Sequence, residues 1–115
     1  LIRQGDIVLV DFGKTVGSES AYRHPAVVVQ ATHINRTRIN TVIVCLITSN
    51  LKRGDAEGNV RLAKGEANFA KPSVANVSQV FAIDKSMLAK HVGSLSPRRV
   101  REVIGGIAIL LEPDA

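Results

Sequence analysis

Apolar and polar positions change period several times along the chain, and each change marks an element. Asp6 to Phe12 alternates in part and is rich in Val, which predicts a strand. It breaks at 13–20, a stretch with two glycines and small polar residues that reads as a long mobile loop. Pro25 then opens the run Ala26-Val27-Val28-Val29-Gln30. A sheet tolerates proline at the first position of a strand, so a second strand is expected to begin there. Thr41 to Thr48 is almost continuously apolar, which predicts a strand covered on both faces. A barrel core covers only one of them, so the other calls for a helix or a second subunit.

The second half reads in shorter pieces. Residues 49–58 form a basic, solvated loop before a short strand at Asn59 to Leu62. Ser73 to Ile83 alternates loosely through Val74, Val77, Val80 and Ile83, giving one long strand or two short ones. Asp84 is placed to cap a single helical turn through Leu88, and His91 to Leu95 forms a last short strand. Ser96 is a good N-cap and Pro97 a favoured first helical residue; Val100, Val103, Ile104, Ile107, Leu110 and Leu111 recur at helical spacing. Gly105 and Gly106 each cost about 1 kcal/mol against Ala inside that helix, so either a neighbour packs against the backbone there or the helix bends. Five to seven short strands followed by one amphipathic helix predict a mainly β, α+β chain: an SH3-like small barrel with a C-terminal helix. At 115 residues, one domain over 1–115 is expected.

Composition narrows the function classes. The net charge of +5 favours anionic partners without selecting a fold. The single cysteine, Cys45, lies in an apolar run; it rules out an internal disulfide or thiolate cluster and reads as a buried, inert thiol. His33 and His91 have no partners at metal-ligand spacing, and no glycine-rich phosphate loop is present, so no metal and no nucleotide cofactor is expected. No run approaches the roughly 20 apolar residues of a membrane span. The start, Leu1-Ile2-Arg3-Gln4, lacks the apolar core of a signal peptide, so a cytoplasmic protein is expected.

A set of short motifs in fixed order adds to this reading. Gln4-Gly5-Asp6-Ile7-Val8, Val16-Gly17-Ser18-Glu19, the segment from Arg23 to Gln30 and Ile47-Thr48-Ser49-Asn50 come first. Ser73-Val74-Ala75-Asn76-Val77-Ser78-Gln79, Ile83 to Leu88 and Val92-Gly93-Ser94-Leu95 follow. In this order the chain resembles the MazF/PemK toxins over nearly its whole length. The resemblance implies metal-independent cleavage of single-stranded RNA, in which the ribose 2′-hydroxyl attacks the adjacent phosphate and leaves a 2′,3′-cyclic phosphate and a 5′-hydroxyl. It also implies a homodimer and a cognate acidic antitoxin. The RNA class, mRNA, tRNA or rRNA, stays open.

Such chemistry needs a proton acceptor, a proton donor and a group that stabilises charge on phosphorus. The resemblance gives Thr48 the task of orienting the phosphate through its hydroxyl; otherwise Thr48 is a strand-end residue bonded to nearby backbone. The family's arginine before the strand proline is displaced: His24 precedes Pro25, and Arg23 stands one place earlier. Either Arg23 reaches the phosphate or His24, with an ordinary pKa of about 6.5, moves the proton. Adjacent strand positions point to opposite faces, which favours one of the two, and His24 is preferred. Glu19 is a candidate general base or arginine partner, and Ser18 lines the RNA groove. Gln79, Ser49, Asn50, Lys52 and Arg53 are candidate contacts to bases and phosphates. Arg98, Arg99 and Arg101 crowd the positive end of the terminal helix, which invites an anion, although solvated surface charge is the commoner outcome.

Two other functions compete. A non-catalytic toxin of the same fold would grip a topoisomerase through the terminal helix and would not need Thr48 with His24 or Arg23. A peptide-binding SH3-like module would need an aromatic groove, for which Tyr22 as the one tyrosine and the absence of Trp leave little material.

Overall fold

The computed structural model describes residues 1–14 and 21–115. Six strands, β1 (Asp6–Lys14), β2 (Ala21–Val28), β3 (Thr41–Thr48), β4 (Val60–Leu62), β5 (Ser73–Asp84) and β6 (Leu88–Ser94), form one antiparallel sheet in the order β4-β5-β3-β2-β1-β6. A short helix α1 (Thr32–Asn35) follows β2, and α2 (Pro97–Leu110) closes the chain. The result is a curled half-barrel with a C-terminal helix, as the hydropathy pattern predicts. Register shifts in the β1–β2, β1–β6 and β3–β5 pairings supply the curl, because an extra residue on one strand bends it and increases its twist.

The apolar run of β3 is buried on both faces. Cys45 and Ile47 join a cluster with Ile7, Val27, Ala75 and Val103 of α2, and Phe69 and Ile107 pack against its margin. Val42, Val44 and Leu46 join a second cluster with Val8, Val10, Val28 and Ile83, closed by Ile2, Met87 and Leu88. Both covers therefore come from the same chain, and no second subunit is required to bury β3. The curl explains the difference from expectation: the sheet wraps one face over itself, and the helix covers the other. Burial pushes the Cys45 thiol pKa up to about 12, which leaves it an unreactive core side chain.

Local chemistry sets the element ends. Asp84 Oδ1 accepts the Ser86 N–H at 2.8 Å, capping the turn Lys85–Met87, and that bond holds its carboxyl below the ordinary aspartate range. Ser96 Oγ accepts the Arg99 N–H at the start of α2. Of the two helix glycines, Gly106 is the one the packing demands. A Cβ there would collide with the Gly58 carbonyl, whereas Gly105 has open space. Two expectations are corrected. β2 begins at Ala21, which puts Pro25 in mid-strand. It is tolerated because residues 21–25 pair with β1 alone and β3 joins only at Ala26–Val28. Similarly, β6 begins at Leu88 rather than His91. Among the described residues, no helix is long and apolar enough to cross a membrane.

Candidate active site

The sheet places three of the sequence candidates, His24, Thr48 and Ser49, in one cleft. His24 lies opposite Val10 in the β1–β2 pair, and Thr48 lies opposite Val74 at the end of β3. Val10 and Val74 are fully buried, so His24 and Thr48 both sit on backbone anchored to the core. Together with Pro25, Ile47 and Ser49 they form one wall of a cavity of about 360 Å³; Phe69, Ala70, Lys71 and Ser73 form the other. The strand alternation turns Arg23 the other way. It is exposed, lies opposite Asp11 and does not line the cavity.

Thr48 is half-buried, and its Oγ1 accepts the Asn50 N–H at 3.1 Å. That bond is the local backbone contact expected of a strand-end threonine, and it is compatible with a functional role. Accepting from backbone fixes the rotamer and leaves the hydroxyl proton to be donated to a ligand. Asn50 in turn uses Oδ1 to accept the Lys52 N–H at 3.2 Å, which caps the turn Leu51–Asp55. Asn50 is thus a structural cap, while Lys52 and Arg53 are exposed beyond the cavity.

Gln79 is held away from this cleft. In the β3–β5 ladder Ile47 faces Ala75 but Cys45 faces Val80, so residues 76–79 bulge out opposite Leu46 alone. A polar network fixes the bulge. Asn59 Oδ1 accepts the Val77 N–H at 2.9 Å, Asn59 Nδ2 donates to Asn76 Oδ1, and Asn76 Nδ2 donates to Gln79 Oε1 at 3.1 Å. Ser18 and Glu19 lie outside the described residues.

The loop wall supplies residues that strand-based reasoning missed. Ala67 and Asn68 carry positive φ, a backbone state that side chains disfavour. The segment is tied down around them: Arg99 Nε and Nη2 donate to Glu66 at 2.9 and 3.0 Å, Glu66 Oε2 accepts the Ala63 N–H, and Asn68 Nδ2 donates to the Val92 carbonyl. The hydrogen bonds and charge of Arg99 hold the Glu66 carboxyl below its ordinary range. Arg98 and Arg99 also pair with Glu102. The anion expected near the basic start of α2 is therefore supplied, for these two arginines, by the chain's own glutamates. The one sequence signal for this wall is Lys71-Pro72 directly before a strand, which on its own is weak.

Among the described residues, no group of three or more His, Cys, Asp or Glu side chains converges as a metal site. The cleft is lined by a histidine, a threonine and a lysine, a set suited to proton transfer and to holding an anion, with the His24 Nε2 itself buried.

Comparison with known proteins agrees with this architecture. Residues 3–111 match the family model described as PemK-like, MazF-like toxin of type II toxin–antitoxin system, and the chain belongs to that family. It is 32% identical over 112 residues to "Endoribonuclease MazF2" of Mycobacterium bovis, spanning 97% of this chain and 98% of the relative. The fold is similar to MazE-MazF from Deinococcus radiodurans, with TM-score 0.79 and 22% identity over 98% of this chain and 97% of that one. It is also similar to a mycobacterial endoribonuclease solved in complex with its cognate antitoxin, with TM-score 0.76 and 18% identity over the full length of both.

Proposed function

We propose that this chain is a toxin endoribonuclease that cleaves single-stranded RNA at the His24–Thr48 cleft without a metal. The observation that carries the reading is the shared cavity: the two candidates that chemistry requires are far apart in sequence and line one space. The relatives' endoribonuclease assignment at 32% identity over nearly the full length supports the same reading.

In this mechanism the substrate supplies the nucleophile. The ribose 2′-oxygen forms a bond to phosphorus as the bond from phosphorus to the 5′-oxygen breaks, giving a 2′,3′-cyclic phosphate and a 5′-hydroxyl. One proton leaves the 2′-hydroxyl and one reaches the departing 5′-oxygen; His24 performs one of these transfers and Glu19 is the candidate for the other. Thr48 donates its hydroxyl proton to a nonbridging phosphate oxygen. The net charge of +5 suits an RNA substrate and an acidic antitoxin segment that would occupy the same cleft when the toxin is silenced. A homodimer belongs to this reading; the exposed Ile109, Leu110 and Leu111 at the end of α2 offer apolar surface for one.

The test is incubation of a long, mixed-sequence single-stranded RNA with the protein in EDTA, followed by chemical mapping of the ends. Cyclic-phosphate and 5′-hydroxyl ends from wild type that disappear in Thr48→Ala support the proposal. Folded wild type that cleaves several such RNAs nowhere would overturn it and shift the balance to a non-catalytic toxin acting through its helix.

A further inference from the structure

We propose that Lys71 is a catalytic residue of this cleft, binding the scissile phosphate and stabilising its transition-state charge; the inference rests on the ribonuclease reading above. Attack by the 2′-oxygen builds negative charge on the equatorial phosphate oxygens, and a fixed positive charge aimed at them lowers the barrier. The displaced arginine does not meet that need, because Arg23 lies outside the cavity. Among the described residues, Lys71 is the one Lys or Arg that lines the same cavity as His24 and Thr48.

Other cations lie outside the cavity, Lys52 and Arg53 being exposed beyond it. Arg61 pairs with Asp55, Arg98 with Glu102 and Arg99 with both Glu66 and Glu102. Lys71 is exposed, and no carboxylate among the described residues pairs with its ammonium.

The backbone that carries Lys71 is held in place on both sides. Upstream, the Arg99–Glu66 pair and the Asn68 bond to Val92 pin the loop, and Phe69 packs against the core. A Cβ on Gly93 would strike the Ala67 backbone, so β6 and the loop are in close contact. Downstream, Ser73 Oγ donates to the Lys71 carbonyl at 3.2 Å. A flexible four-carbon stem on fixed backbone lets a compact point charge follow the phosphate as its oxygens move, where a guanidinium fork would favour one geometry.

The experiment uses an oligonucleotide that is deoxy except for one ribose at a cleavage site mapped on long RNA. Its kcat and KM are measured for wild type, Lys71→Ala, Lys71→Met and Lys71→Arg, alongside thermal melting. The expected result is a fall in kcat/KM of about 100-fold for Ala and Met, carried mainly by kcat, with Arg within about 10-fold of wild type and Tm unchanged. An all-deoxy oligonucleotide, which cannot be cleaved, should bind Lys71→Met with a log K against log salt slope smaller by about 0.7, the value for one lost phosphate contact on a single strand. Wild type that cleaves while Lys71→Met stays within threefold and keeps its salt slope would overturn the Lys71 role and leave the ribonuclease reading standing. Wild type that fails to cleave would overturn both.

Discussion

The two walls of the cleft are built by different physics. The strand wall presents His24 and Thr48 from backbone whose ladder partners, Val10 and Val74, are fully buried. The loop wall, 66–73, passes through two left-handed residues and depends on a part-buried ion pair between Glu66 and Arg99, side chains distant in sequence. The first wall shares the stability of the core, and the second has a local stability of its own. In the proposed mechanism, the groups that must stay in register with the reacting atoms sit on the stiff wall. The charge proposed to follow the phosphate does so through the flexible Lys71 side chain, carried on loop backbone that is itself tied down.

Changes to each wall should separate these roles. The largest effect on activity is expected from Thr48→Val, which keeps the shape and removes the hydroxyl. Cleavage should fall about 100-fold while the melting curve stays in place, as followed by single-turnover kinetics and circular dichroism. Next, Phe69→Ala removes the apolar anchor of the loop wall. Since Phe69 is only partly buried, a loss of about 2 kcal/mol is expected in denaturant unfolding, together with a rise in KM. Arg99→Leu releases the clamp and should cost about 1 kcal/mol, with KM affected more than kcat because the strand wall is untouched.

The smallest effect is a pH dependence. Glu66 is held below its ordinary pKa in the folded chain, chiefly by the Arg99 hydrogen bond. The unfolded chain therefore binds more protons than the folded one between the lowered value and the ordinary glutamate value of about 4.3. The stabilisation is fully present above that ordinary value and is lost as pH falls through the folded value. Denaturation midpoints across the acid range should decline less steeply for Arg99→Leu than for wild type; identical slopes would mean that the clamp does not operate in solution.

What could be read from sequence follows the same division. The bounds of β3, the Asp84-capped turn and the Ser96-Pro97 start of α2 all agree with expectation, because each depends on neighbouring residues: a continuous apolar run or a cap next to its helix. For the Gly105-Gly106 pair the sequence leaves a close approach or a bend open; the close approach is at Gly106 alone, and its partner, Gly58, has no local signal. Pro25 misled, because its tolerance in mid-strand depends on where β3 begins to pair rather than on its own neighbours. The short helix Thr32–Asn35 went unread. It is built around the buried Asn35, whose side chain bonds the Gln30 and Ile2 carbonyls, a tertiary arrangement with no local period. The loop wall was the least legible part of the site, since Glu66 meets Arg99 only after α2 folds back over the sheet. Gln79 has the residue type for base recognition, yet the bulge and Asn76 turn it to a structural network.

The central claim is that the cleft residue His24, and not the outward Arg23, performs the proton transfer left open by the displaced arginine. The most direct measurement is the single-turnover cleavage rate of His24→Ala and Arg23→Ala on the same mapped RNA site in EDTA, with folding checked by thermal melting. The account predicts a loss of about 100-fold or more for His24→Ala and less than about fivefold for Arg23→Ala. The reverse pattern, with Arg23→Ala inactive and His24→Ala near wild type, would contradict it.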